Sequence, residues 1–356
     1  MRAVSLLGGS LELREVPTPV PGSGQILVRT LACAICASDH HYMDHPEVSR
    51  DDRSGMRVDA PDQHVVMGHE FCAEVVEYGP ETQQAWPIGT KVTSVPALLV
   101  DGGLRIVGMA PDAPGGFGEY FLLSESFARA VPDDVDVQRI ALNDAMAVGW
   151  YYSGLGAAGD GESIPLVIGL GAIGLSVVAA LRHRGAGPVV AADYAPHRRE
   201  LARELGAEVL VDPAVESPWA AWRQAAWGSP DEVFDRIALF GRPKQVVYEM
   251  VGRNGMLADV VDECEIGARI LSCGGAAEDL IHTTTAHAKG LNLQIGGGPQ
   301  PGDWNDCLDH VLAGTLDPMP LVGETVALDE LADAIDRARS PEAPVRILYL
   351  ADKAVG

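Results

Sequence analysis

The stretch Val167-Ile168-Gly169-Leu170-Gly171-Ala172-Ile173-Gly174 narrows the possible folds more than any other part of this chain. An unbroken apolar run, Ile164 to Leu170, leads into it, and an amphipathic helical pattern, Ala172 to Arg184, leaves it. Three glycines at these intervals do different things. Gly169 permits a tight turn, Gly171 lets backbone approach a ligand, and Gly174 allows the helix to pack close to the strand. The helix then opens on Ala172 and Ile173 with free N–H groups and the positive end of its dipole, an arrangement suited to phosphate. A further apolar strand, Pro188 to Asp193, ends in a carboxylate at the interval of about 20 residues expected for a dinucleotide site. Asp193 is placed to accept from both adenosine ribose hydroxyls. A 2′-phosphate would meet a like charge there, so NAD is expected over NADP. Arg198 and Arg199 follow. Arg198 is the candidate to reach the cofactor and soften that preference; a helix surface is the plainer fate of both.

The alternation continues downstream. A helix from Pro196 to Leu205, strands at Glu208–Val211, Lys244–Met250, Ala268–Ser272 and Leu291–Ile295, and a helix from Gly255 to Cys264 are expected. Ser217 to Phe240 reads as one helix or two. Unbroken apolar strands between helices predict a parallel sheet covered on both faces, a doubly wound Rossmann domain over residues 156–295. The first 155 residues read differently. Alternating or β-branched segments such as Gln25–Leu31, Val65–Tyr78 and Lys91–Val95 are separated by Pro/Gly turns. Asp44 to Gln63 has no periodicity and reads as a surface loop, either a loose tip or a wall of the substrate site. The last sixty residues hold two helical patterns and a strand, Val345–Leu350, and are assigned with residues 1–155 to one domain spanning 1–155 and 296–356. The fold class is α/β, a β-rich domain joined to the doubly wound one.

Within the β-rich part, Cys36-Ala37-Ser38-Asp39-His40-His41 and Gly68-His69-Glu70 bring a thiolate, an imidazole and a carboxylate into play. Such borderline-soft donors suit Zn²⁺, and about three protein ligands leave a position for water or substrate. The six cysteines are scattered, so no disulfide framework is implied. Cys33, three residues before Cys36, reads as a small buried neighbour. The formal net charge of −24 repels nucleic acid and anionic membrane. No apolar run is long enough to span a bilayer, and Gly8-Gly9-Ser10 cuts the first apolar run too soon for a signal peptide, so a cytoplasmic protein is expected.

Taken together, Cys36-x-Ser38-Asp39-x-His41, Gly68-His69-Glu70 with Gly79 beyond, Gly115-Gly116-Phe117-Gly118-Glu119-Tyr120, the Gly169–Gly174 loop and Glu249-x-x-Gly252 resemble the zinc-dependent medium-chain alcohol dehydrogenases. The resemblance runs over essentially the whole chain. Ala73 replaces a glycine usual in the family, and the long 44–63 segment is a second departure. The resemblance implies a GroES-like catalytic domain and Cys36 and His69 as zinc ligands. It implies a third ligand at Asp144, ahead of the linking helix, or at Glu70. Asp144 could instead cap that helix, and Glu70 could instead orient His69, as Asp39 is placed to do. Thr93 to Gly118, where relatives often bind a structural zinc through four cysteines, has none, so one catalytic zinc per chain is expected.

The resemblance further implies that Ser38 accepts the alcohol proton and that His41 passes it to solvent, a task suited to a group titrating near neutrality. Ser38 as a helix cap and His40 as the relay are the competing assignments. The other histidines read as surface or local hydrogen-bonding groups. Trp150, Tyr151 and Tyr152 read as core. The expected reaction is hydride transfer between an alcohol, or its aldehyde or ketone, and NAD, by a homo-oligomer (dimer or tetramer). A polyol- or threonine-type dehydrogenase is the narrower variant. A metal-independent quinone or enone reductase and a non-catalytic dinucleotide-binding protein are the alternatives.

Overall fold

The computed structural model describes residues 1–47, 53, 55–101, 103–156, 163–231, 244–274 and 278–353. The chain forms two compact units, Met1–Asp144 with Val322–Gly356, and Ala145–Leu321.

In the first unit the strand Gln25–Ala34 is central. It pairs antiparallel with Glu70–Tyr78, with Tyr120–Ser124 and with the terminal strand Arg346–Leu350. Lys91–Ser94 and Ala128–Ala130 extend one side, and Val322–Val326 closes the other by pairing parallel with Arg346–Leu350. A smaller sheet joins Ser10–Glu15, Arg2–Leu7 and Val65–Val66. Val28, Phe71, Val75, Phe121, Leu123 and Ile347 form part of the core. Strands cover the expected segments, but Val65–Tyr78 is divided at Met67-Gly68-His69 into Val65–Val66 and Glu70–Tyr78, which join different sheets. Val322–Val326 was not anticipated, because Val322-Gly323-Glu324-Thr325-Val326 carries too few apolar residues to announce a strand.

In the cysteine-free stretch Thr93 to Gly118, a hairpin pairs Ala97–Val100 with Gly103–Ile106. Buried Leu98 anchors it, Leu99 N–H donates to Ser124 Oγ (2.8 Å), and Gln25 Nε2 donates to the Leu99 carbonyl (2.6 Å). The 44–63 segment is no loose tip where it is described. Val58 N–H bonds the Met109 carbonyl, and Tyr42 Oη donates to the Val58 carbonyl. Residues 48–52 and 54 lie outside the described residues.

The second unit is a parallel sheet ordered Val209–Val211, Val190–Ala192, Ser163–Ile168, Lys244–Glu249, Arg269–Ser272, Asn292–Ile295. Numbered along the chain this is 3-2-1-4-5-6, and the order reverses beside Ser163–Ile168, the place where such sheets bind ligands. Leu166, Ile168, Val190, Val247, Ile270 and Trp222 fill part of its core. The helix Ala172–His183 buries nine residues and carries Arg182 in its last turn, a cation at the negative end of its dipole. Pro218–Trp227 is one helix of the Ser217–Phe240 stretch; residues 232–240 lie outside the described residues.

The domain boundaries expected at 155/156 and 295/296 shift to Asp144/Ala145 and Leu321/Val322. The reason is side-chain chemistry in the helix Asn143–Leu155. Trp150 Nε1 donates to Asp306 Oδ2 (2.9 Å), with the Arg184 guanidinium 3.6 Å above the Trp150 ring. Tyr152 Oη donates to the Gly297 carbonyl (3.1 Å). These contacts tie both 145–155 and 296–321 to the parallel sheet. Trp150 and Tyr152 are therefore core of this unit. No helix among the described residues is long and apolar enough to cross a membrane.

Candidate metal centre and nucleotide loop

Two short segments of the first unit present the donors. Helix Ala37–Asp44 starts at Cys36, which is its N-cap, so Ser38 is not the cap. Asp39 Oδ2 accepts the Cys36 N–H (2.9 Å) and closes the first turn. His69 and Glu70 sit at the start of the strand Glu70–Tyr78, and Gly68 before them has φ +94°. A Cβ at Gly68 would lie 2.6 Å from Phe117 Cδ1 and 2.8 Å from Cys33 Sγ. Glycine is thus required, and Cys33 is a packing residue, fully buried. The 115–117 segment backs this turn, with Gly115, Gly116 and Phe117 N–H groups bonded to the carbonyls of Val66, Gly68 and Met67.

The donor atoms of Cys36, His69 and Glu70 lie within 4.8 Å of one another. At the tetrahedral angle two zinc–ligand bonds span about 3.5 Å, so side-chain shifts of about 1 Å close all three on one ion. Ser38 Oγ touches both neighbours, donating to Cys36 Sγ (3.1 Å) and lying 2.9 Å from His69 Nε2. The other imidazole nitrogen, Nδ1, is 3.3 Å from Asp39 Oδ1 without hydrogen-bond alignment, an ion-pair contact that sets the ring orientation. Glu70 is divided. Its Oε1 is 2.7 Å from Arg346 Nη2, while Oε2 is buried with no hydrogen-bond partner. An orphaned buried carboxylate oxygen beside a thiol and an imidazole is chemistry that fits a zinc ion. Asp144 is not in this group; it occupies the first turn of Asn143–Leu155, inside the helix and not at its cap.

Arg346 is the residue that sequence reasoning missed. Its Nη1 donates to the Ile35 carbonyl (2.9 Å), and Nη2 lies 3.8 Å from Cys36 Sγ as well as on Glu70. Both members of the Arg346–Glu70 pair are buried. The available signal was an arginine standing at a buried position in an otherwise apolar terminal strand. On the protein's own groups, burial pushes the Cys36 thiol up, but Arg346 and His69 reverse this and bring it down to about 6. Burial likewise opposes the charged form of His69, and Asp39 overcomes it, raising the imidazole well above its ordinary value. Burial drives the Glu70 carboxyl well up, with Arg346 opposing.

Helix Ala37–Asp44 also carries the histidines. His40 Nε2 is 2.8 Å from the Ile335 carbonyl and so is occupied within the fold. His41 is half-buried, and its ring centroid lies 4.8 Å from that of His45. Burial, His45 and Arg57 hold its pKa below the ordinary imidazole value. His64 meets Ser5, His282 meets Asp262, and His183 and His310 both meet Thr315; only the His310 contact is local in sequence.

In the second unit the glycine loop has the shape its spacing predicts. Gly169 has φ +89°, and a Cβ on Gly174 would lie 1.9 Å from the Gly169 carbonyl oxygen. At Gly171 a Cβ would meet nothing within 4 Å, and no side chain caps the helix that starts there. The first-turn N–H groups, Ala172 and Ile173 among them, have no intrahelical acceptor. An open cradle of backbone donors fits the pyrophosphate of a dinucleotide. Asp193 lies at its edge, accepting from Leu170 N–H through Oδ2 (2.7 Å) and from Ala195 N–H through Oδ1 (2.8 Å). Arg198 has a buried Nε without a hydrogen-bond partner. Glu249 shapes a turn, accepting from the Val251 and Gly252 N–H groups and from Ser272 Oγ.

The chain matches two family models in order, an alcohol dehydrogenase GroES-like domain over residues 22–133 and a zinc-binding dehydrogenase domain over residues 172–313. It is 29% identical to an L-threonine 3-dehydrogenase of Rhizobium johnstonii, over 93% of this chain and 92% of that one. It is 32% identical to an L-threonine 3-dehydrogenase of Saccharopolyspora erythraea, over 75% of this chain and 74% of that one. Among solved structures, a Sinorhizobium meliloti protein described as a zinc-binding dehydrogenase and bound to NADP superposes with a TM-score of 0.79. It shares 25% identity and covers 98% of this chain and 99% of its own. With both domain models matched in sequence order and a dehydrogenase relative aligned along three quarters of its length, the chain belongs to the zinc-dependent medium-chain dehydrogenase family, oxidoreductases of alcohols.

Proposed function

We propose that this protein oxidises a secondary alcohol with NAD through a single zinc held by Cys36, His69 and Glu70. The observation that carries the reading is the Ser38 hydroxyl lying on both the Cys36 sulfur and His69 Nε2. A zinc there would supply Lewis acidity, making an alcohol acidic enough to lose its proton near neutral pH. Ser38 Oγ, beside the donor atoms, is the group to receive that proton. His41, whose pKa burial and the neighbouring His45 and Arg57 hold below the ordinary imidazole value, is the group to carry it outward. Arg346 holds one oxygen of Glu70 and leaves the other for the metal, which favours Glu70 over Asp144 as third ligand.

Asp193 argues for NAD, since its carboxylate would repel a 2′-phosphate. The curated relatives act, by their names, on threonine, a secondary alcohol with a polar group on the neighbouring carbon. A substrate of that type, or a polyol, is the class assigned here. Ala97–Ile106, a hairpin without cysteine, supports one zinc per chain. A cytoplasmic homo-oligomer acting on a small molecule, with no nucleic-acid or membrane partner, completes the reading.

The test is turnover of a panel of secondary alcohols, β-hydroxy amino acids and polyols with NAD and with NADP. NADH formation with at least one class, and a clear preference for NAD, is the expected result. A clear preference for NADP would refute the role given to Asp193. Failure of every alcohol in a zinc-loaded sample would refute the reaction.

A further inference from the structure

Behind Asp193 lies a set of contacts that the cofactor reading leaves unused. Each oxygen of its carboxylate accepts one backbone N–H, from Leu170 and from Ala195, and keeps lone-pair capacity for another donor. The direction of that capacity follows from the backbone of residues 193–195. Arg199, in the helix Pro196–Glu204, grips this backbone. Its Nη1 donates to the carbonyls of Asp193 (2.7 Å) and Tyr194 (2.9 Å). Its Nη2 lies 3.0 Å from Asp212 Oδ2, just past the strand Val209–Val211. Asp212 Oδ1 is in turn held by the Ala214 N–H (3.0 Å), and the Asp193 N–H bonds the Val211 carbonyl (3.2 Å). The Arg199 side chain is only 16% exposed, so the guanidinium is a strut inside the fold.

We propose that Arg199 is a positioning residue that fixes the turn carrying Asp193, aims its carboxylate at the nucleotide ribose, and so sharpens the choice against a 2′-phosphate without touching the cofactor. The inference rests on Asp193 being the ribose acceptor. Neighbouring arginines thereby take different roles. The charge of Arg199 is matched by Asp212 and both donors of its Nη1 are committed to two carbonyls, so the guanidinium is oriented by the fold and its charge is already paired. Arg198 keeps a buried Nε without a hydrogen-bond partner. A planar fork can hold two carbonyls and a carboxylate together; a lysine ammonium in the same place reproduces only part of that geometry.

The experiment compares the native protein with Arg199→Met, Arg199→Lys, Asp193→Ala and the Asp193→Ala/Arg199→Met double variant. NADH and NADPH dissociation constants are read by fluorescence, and amide hydrogen exchange is followed at Leu170 and Ala195. Arg199→Met is expected to weaken NADH about tenfold, narrow the NADH/NADPH ratio, and speed exchange at both amides. At saturating NAD, kcat is expected to stay within about twofold of native, because no reacting group is touched. Arg199→Lys should recover part of the affinity, and it carries the test if the methionine variant does not fold. In the Asp193→Ala background the Arg199 substitution should have no further effect on affinity. Unchanged NADH affinity and selectivity in Arg199→Met, or an equal loss with and without Asp193, would overturn the proposal. Native affinity for NADH in Asp193→Ala would instead overturn the ribose role of Asp193 itself, a separate result visible in the single variant.

Discussion

The candidate metal pocket of the first unit and the glycine loop of the second are built on opposite plans. The loop is local: glycines, helix start and acidic residue come from one continuous strand–helix–strand passage, and its donors are backbone N–H groups. The pocket is assembled from the start of a helix at Cys36, the start of a strand at His69, and Arg346 on the last strand, 276 residues from Glu70. The loop needs particular backbone shapes, which glycine spacing encodes. The pocket needs particular side chains brought together by the whole sheet, and a one-residue slip in the terminal strand would turn Arg346 away. Substitutions in the pocket should therefore be felt in chemistry and in stability together, whereas substitutions around the loop should be felt in cofactor binding.

The sharpest way to break this contrast is Cys36→Ala. Loss of a thiolate ligand should release the zinc and reduce kcat/KM by about 10³-fold or more, the scale of several kcal/mol of transition-state stabilisation. NADH binding to the second unit should persist. Retention of zinc and activity would show that the pocket is not the metal site. Next comes Arg346→Gln, which strands half of a buried ion pair and should lower unfolding stability by about 3 kcal/mol in denaturant titration. A change under about 0.5 kcal/mol would mean that the pair contributes nothing to the pocket's integrity.

Ser38→Ala should lower kcat by about 10²-fold with zinc content unchanged. A fully active variant would remove Ser38 from the proton path. The smallest effect belongs to an exposed pair in the same unit, Asp44 with Arg339, which calibrates the buried one. The hydrogen bond from Arg339 lowers the Asp44 carboxyl pKa. A carboxylate depressed in the fold stabilises above its unfolded pKa of about 3.9 and loses that contribution as pH falls through the folded value. Arg339→Ala should thus cost no more than about 0.5 kcal/mol at pH 7, both side chains being more than a third exposed, and the difference from native should vanish in acid.

The same contrast explains what could be read in advance. The parallel sheet, the glycine loop and Asp193 were legible because hydrophobic period, turn glycines and strand ends all lie within short windows. Cys36, Ser38, His69 and Glu70 were legible as motifs. Their mutual contacts, and the part Asp39 plays at once in the helix turn and beside His69, needed the fold. Arg346 was overlooked because no local pattern links a terminal strand to a ligand near residue 70. The unit boundaries moved because Trp150 and Tyr152 look like generic core residues. Only their hydrogen bonds to Asp306 and Gly297 reveal which core they join. The functions of the two aligned arginines, 198 and 199, could not be separated from spacing alone. One is committed to carbonyls and Asp212, and that commitment is purely three-dimensional.

The central claim is a single catalytic zinc whose coordination shell contains the Cys36 sulfur. X-ray absorption at the zinc edge, on folded protein of measured metal content, reads both parts at once. One zinc per chain with one sulfur at about 2.3 Å, and the remaining ligands nitrogen or oxygen, is the predicted spectrum. A metal-replete sample with no zinc, or with a shell containing no sulfur, would contradict it.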